Sequence, residues 1–105
     1  MTWLADADLV VVGSGVAGLT AALEARALGL RVVVVTKGAA DEGNTRWAQG
    51  GVAVVTGDDP ADSIAAHVTD TLVAGAGLCD ELAVRAILAD GPAAVAGLRR
   101  RGAVF

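Results

Sequence analysis

Two short runs of β-branched residues frame the start of the chain. Residues 9–12, Leu-Val-Val-Val, end at Gly13-Ser14-Gly15, after which Leu19, Ala22, Leu23 and Ala27 recur at helical spacing. That pattern predicts a strand, a tight turn and a helix whose apolar stripe carries those four residues. Gly29 can take the left-handed conformation that ends the helix. Residues 32–35, Val-Val-Val-Val, then predict a second strand. Continuous apolar runs of this kind are expected of parallel strands buried on both faces. The three elements make one βαβ unit, with the right-handed crossover that such units adopt.

Beyond Lys37 the periodicity stops. Residues 38–51 are polar and punctuated by glycine, a length of loop that in compact domains is usually functional or disordered. Val52–Val55 predicts a short third strand, and Asp59-Pro60 offers an N-cap with proline at the first helical position. Ile64, Val68 and Leu72 mark one face of a helix reaching about Ala74, broken by Gly75 and Gly77. Asp80 can cap a further helix with Val84, Ile87 and Leu88 inward; Gly91-Pro92 is expected to restart or bend it, and Val95 and Leu98 continue it to Arg101, before Gly102. No internal repeat, linker or low-complexity tract is evident.

The turn after the first strand carries chemistry. Gly13, Gly15 and Gly18 fit G-x-G-x-x-G at a strand–helix junction. The first glycine permits the tight turn, the second lets a pyrophosphate approach the backbone, and the third lets helix and strand pack closely. A diphosphate there would meet the free N–H groups and positive dipole end of the helix. The acidic residue that usually holds ribose hydroxyls at the end of the second strand is replaced by Thr36 and Lys37, which takes support from an NAD-type reading. Thr36 can bond a ribose through its hydroxyl, and Lys37 can reach a phosphate or ribose oxygen or stand in solvent.

Composition narrows the class. The 105 residues hold 8 basic and 12 acidic side chains, a net charge of −4, which is not the footprint of a nucleic-acid binder. Apolar residues make up 54%, and with the 14 glycines they account for about two thirds of the chain, against roughly 45–50% in an ordinary soluble domain. Such a chain can offset its ordering entropy and is expected to fold. No stretch approaches the roughly 18 uninterrupted apolar residues of a membrane span, and the start does not read as a signal peptide. The length suits one small domain, but the excess of Ala, Val and Gly is what a piece of a larger α/β domain would show. Cys79 is the single cysteine, so no internal disulfide can form and a cytoplasmic location is expected.

The segment Asn44-Thr45-Arg46-Trp47-Ala48-Gln49-Gly50-Gly51, placed after the βαβ unit, resembles the succinate dehydrogenase/fumarate reductase flavoprotein superfamily. Thr36-Lys37-Gly38 with Glu42-Gly43, and the more specific stretch from Asp70 to Asp80, narrow the resemblance to the branch that oxidises L-aspartate. It covers essentially the whole chain but only the N-terminal part of the family protein. It implies a Rossmann-like FAD-binding βαβ unit, a flavin loop and helices as an incomplete part of a larger FAD-binding domain, with residues 1–105 its N-terminal part and the capping and C-terminal domains absent.

By position, the resemblance implies FAD contacts from Ser14, Gly15, Val16 and Ala17, from Lys37, and from Asn44 through Gly51. Thin backbone at Gly50 and Gly51 suits N–H donors close to the isoalloxazine ring, and Gln49 offers donor and acceptor to its polar edge. Thr45 can bond through its hydroxyl, Ala48 keeps the loop thin, and Arg46 and Trp47 lie beside them, Trp47 over either cofactor or core. A histidine linked covalently to flavin in the membrane-complex dehydrogenases stands where this chain has Asn44, so the flavin is expected to be noncovalent. The implied reaction takes hydride from the α-carbon of L-aspartate to flavin N5, giving iminosuccinate for NAD biosynthesis, with reoxidation by O2 or fumarate. The arginines and histidine that recognise the dicarboxylate lie, by resemblance, beyond Phe105. No catalytic residue is therefore named, and the chain alone is expected to be inactive. A fumarate reductase or succinate dehydrogenase flavoprotein, or a truncated nucleotide-binding module without turnover, are the alternatives.

Other conspicuous residues read as structural. His67 lies between apolar helix positions with no second ligand for a metal. Cys79 beside Asp80 sits near a helix start that could lower its pKa, though burial is the commoner fate. Arg99, Arg100 and Arg101 complement the dipole of a last helical turn and are expected to face water.

Overall fold

The structure, a computed structural model, describes residue 2 and residues 4–105. The chain divides into two compact units, Met1–Gln49 and Gly50–Phe105.

The first unit is built on strand β1 (Leu9–Val12), helix α1 (Val16–Ala27) and strand β2 (Val32–Val35), followed by a one-turn helix α2 (Asn44–Trp47). β1 and β2 pair in parallel, in the register Leu9 to Val32 through Val12 to Val35. The predicted βαβ path is thus present with its predicted strand bounds. α1 ends as expected at Gly29, whose φ is +84°: the N–H of Gly29 donates to the Arg26 carbonyl and that of Leu30 to the Ala25 carbonyl, so two terminal carbonyls are satisfied.

The helix face turned to the strands keeps Ala22 of the expected stripe but not its leucines. Ala22 and Ala25 are buried and Gly18 half-buried, whereas Leu19 and Leu23 are 42% and 51% exposed. The i, i+4, i+7 series of small residues lets α1 lie close to the strands, as the steric position of Gly18 requires (below), and close approach leaves no room for leucine. The strands also depart from the two-sided expectation. Leu9 and Val11 are half-buried toward the helix, while Val10 and Val12 point away and are exposed, because α1 covers one face only.

Asp8 and Arg31 clamp the open end of the strand pair. The Arg31 backbone N–H, Nε and Nη2 donate to the Asp8 carboxylate at 2.8, 3.2 and 3.0 Å, and the Asp8 N–H returns a bond to the Arg31 carbonyl. These donors hold the Asp8 pKa below the ordinary aspartate range. A carboxylate with a lowered folded-state pKa contributes stability at neutral pH that fades as pH falls through that value. Asp8→Asn should therefore lower the melting temperature at pH 7, by an amount that shrinks at acid pH. An equal deficit at acid pH would show that the charge is not what matters.

The second unit contains helices α3 (Ile64–Ala74) and α4 (Glu81–Arg100), which pack on each other. Val68 is its buried centre, flanked on the same face by Ile64, Thr71 and Leu72. Three expectations change here. Val52–Val55 forms no strand, since no partner strand lies beside it among the described residues. Asp59-Pro60 makes a turn, with the Asp59 carboxylate accepting from the Ala61 N–H, and the N-cap of α3 is Ser63, whose hydroxyl accepts from the Ala66 N–H at 3.1 Å. α4 runs through Gly91-Pro92 without restarting, with Val84, Leu88, Gly91, Val95 and Leu98 inward at alternating four- and three-residue steps, and Ile87, expected inward, is 69% exposed. Asp80 caps α4 as predicted, accepting from the Ala83 N–H at 3.1 Å.

After α3, Ala76 and Gly77 both take the left-handed region, at φ 49° and 87°. Gly75 is needed for a different reason: a Cβ there would lie 2.1 Å from the Cys79 sulfur. The thiol is half-buried, 3.7 Å from the Thr71 carbonyl, which makes Cys79 a packing residue. Among the described residues no helix is long and apolar enough to cross a membrane, and no group of three His, Cys, Asp or Glu side chains converges as a metal site would.

Candidate functional site

The turn between β1 and α1 is tightly determined. Gly13 sits at φ +110°, a conformation that L side chains rarely adopt, and its N–H donates to the Val35 carbonyl at 2.8 Å. A Cβ on Gly18 would fall 2.2 Å from the Gly13 carbonyl oxygen and 3.3 Å from Val11 Cγ1, so this glycine sets how closely α1 approaches β1. Gly15, the N-cap of α1, has an ordinary extended backbone, φ −72° and ψ 179°, and supplies no side-chain cap. Its open face has another neighbour: the Thr45 hydroxyl oxygen lies 3.0 Å from where a Cβ would stand.

Sequence-distant residues meet at this point. The Val16 N–H donates to the Thr45 hydroxyl at 3.1 Å. Ser14 is the one buried polar residue among those described; its hydroxyl lies 3.3 Å from the Thr36 hydroxyl and 3.5 Å from the Glu42 carbonyl oxygen. Thus Ser14 reaches the end of β2 and the following loop with its side chain, and only its backbone faces the helix start. Among the described residues no acceptor lies against the N–H groups of Ala17 and Gly18. Two donors of the first turn, on a dipole end with no acidic side chain in that turn, are what a phosphate requires.

The remaining expected site residues are placed as follows. Lys37 is exposed just after Thr36. The segment expected to be pure loop contains α2, because Gly43 and Asn44 supply carbonyls for the Arg46 and Ala48 N–H groups. Arg46 forms an ion pair with Asp41 and stands 5.5 Å over the Trp47 ring, whose residue is 77% exposed. Trp47 is therefore no part of a core among the described residues. Ala48 and Gln49 are exposed. Gly50 and Gly51 fall in the second unit, where they border a cleft of about 280 Å³ shared with Val54, Thr56, Val95 and Arg99. The clasp between Thr45 and Val16 was not foreseeable from motif spacing. Its signal, a hydroxyl residue after a polar loop, is common to too many sequences.

Residues 8–105 match the model of a family described as FAD binding domain. The chain belongs to this family. FAD is its cofactor, and the residues at the turn fit one: a glycine-thin approach at Gly15 and free donors at Ala17 and Gly18. Within the FAD-binding domain family, the chain is 59% identical over 103 residues to L-aspartate oxidase of Streptomyces coelicolor, covering 98% of this chain and 17% of that protein. It is 55% identical over 102 residues to L-aspartate oxidase of Mycobacterium bovis, covering 96% and 19%, and 50% identical over 98 residues to the chloroplastic L-aspartate oxidase of Oryza sativa, covering 93% and 15%. The chain therefore spans less than a fifth of the length of these curated relatives. No solved structure matches it.

Proposed function

We propose that residues 1–105 are the N-terminal part of the FAD-binding domain of an L-aspartate oxidase, acting in NAD biosynthesis in the cytoplasm. The single observation that carries this reading is the turn at residues 13–18, with two unpaired first-turn donors beside a glycine-thin face, in a chain 59% identical to a protein of that name. The uncovered faces of β1 at Val10 and Val12 support a Rossmann-like sheet completed by further strands or helices of a larger domain.

In this reading the backbone of Gly13, Ser14, Gly15, Val16, Ala17 and Gly18 holds the diphosphate. Thr36 and Lys37, at the end of β2, serve the adenosine ribose or a phosphate oxygen. Asn44, Thr45, Arg46, Trp47, Ala48, Gln49, Gly50 and Gly51 form the segment that lies along the flavin. FAD, when bound, supplies the hydride acceptor for oxidation of L-aspartate at its α-carbon, with O2 or fumarate as the final acceptor. The chain's own residues bind and orient that group; recognition of two carboxylates and deprotonation of the amine require further basic residues, as hydride transfer from an aligned substrate demands.

Asn44 carries a prediction, because an amide nitrogen forms no bond to flavin comparable to that of an imidazole. The purified chain should elute from gel filtration with FAD absorbance, and acid should release all of the flavin as free FAD. It should show no reduction of that flavin by L-aspartate. Yellow colour that stays with the polypeptide through denaturing electrophoresis would overturn the noncovalent reading, and a colourless, folded chain that takes up no added FAD would overturn the binding reading itself.

A further inference from the structure

We propose that Thr45 is a positioning residue that couples the two halves of the dinucleotide site. This rests on the reading of the turn as an FAD site. The Thr45 hydroxyl accepts from the Val16 N–H at 3.1 Å and packs 3.0 Å from the Cβ position of Gly15, while on the other side of the turn the Ser14 hydroxyl reaches Thr36 and the Glu42 carbonyl. Two clasps therefore seat the 42–45 segment on the start of α1, across 28 and 29 residues of sequence. Thr45 and the residues that follow directly belong to the segment assigned to the flavin.

Seating has a consequence for binding. A ligand that uses only the turn, such as ADP, finds its donors at Ala17 and Gly18 whether or not the loop is held. FAD must also engage the loop. If the loop is already seated, the ordering cost of a segment of several residues is met before the flavin arrives. A hydroxyl that spans turn and loop thus raises affinity for the whole dinucleotide by holding the loop in place, and the signature is a change in the ratio of FAD to ADP affinity.

Thr45→Val keeps the shape and removes the acceptor; Thr45→Ser keeps the acceptor. Titration of the purified 105-residue chain with FAD, followed by flavin fluorescence, and with ADP, followed by calorimetry, gives both constants. The expected result is a fall of about five- to tenfold in FAD affinity for Thr45→Val, ADP affinity unchanged, and recovery in Thr45→Ser. An equal loss for both ligands would show that Thr45 serves the diphosphate or the fold, and unchanged FAD affinity would show that the clasp does nothing; either overturns the proposal. If Thr45→Val fails to fold, Thr45→Ala carries the same test, and a wild-type ratio in it overturns the proposal. A wild-type chain that binds neither ligand defeats the FAD reading as well, an outcome distinct from the other two.

Discussion

Gly18→Ala is expected to destabilise the first unit and weaken its hold on FAD together. The added methyl would lie 2.2 Å from the Gly13 carbonyl oxygen and 3.1 Å from its carbon, contacts that no side-chain rotation relieves because both atoms belong to the main chain. Neither partner can retreat cheaply. Gly13 is fixed by its φ of +110° and by its N–H donating to the Val35 carbonyl, and α1 is held against the strands by buried Ala22 and Ala25. Separating helix from turn by the necessary ångström would also uncover those alanines. Overpacking of this kind costs about 3 kcal/mol, a large part of the roughly 5–15 kcal/mol that stabilises a small domain. Denaturant unfolding followed by circular dichroism measures it, and a midpoint equal to that of the wild type would remove Gly18 from the packing argument.

The same glycine shows what could and could not be read in advance. The βαβ path was legible because two β-branched runs, a turn with Gly13 and a stop at Gly29 agree with one another, and the structure keeps all of them. The buried stripe of α1 was legible only at Ala22. Leu19 and Leu23 are more apolar than Gly18 and Ala25, so hydrophobic spacing picks them, but close backbone approach, a steric matter, decides which residues turn inward. Val52–Val55 misleads in a similar way, since β propensity describes a residue's fit to a sheet and cannot supply the partner strand. At the candidate site, the glycines and the donors of α1 were legible from local pattern. The Thr45 and Ser14 clasps were not, because they join residues far apart in sequence whose hydroxyls carry no spacing rule.

Gly15→Val should separate binding from folding. Unlike Gly13, Gly15 has φ −72° and ψ 179°, which any residue adopts without strain, and its added Cβ meets only the Thr45 hydroxyl, the tip of a side chain at an exposed position. The fold should therefore persist, with a loss of about 1 kcal/mol or less. Binding should not persist. A valine there projects two methyl groups over the face that a diphosphate must cross to reach the N–H groups of Ala17 and Gly18, and a phosphate cannot exchange those donors for hydrocarbon. FAD affinity should fall by about 100-fold or more, equivalent to roughly 3 kcal/mol, while circular dichroism stays that of the wild type. ADP must lose a similar factor, since the damage lies at the diphosphate. That shared loss distinguishes Gly15→Val from Thr45→Val, and its intact fold distinguishes it from Gly18→Ala. Retention of FAD by a folded Gly15→Val chain would mean that the dinucleotide lies somewhere other than this turn.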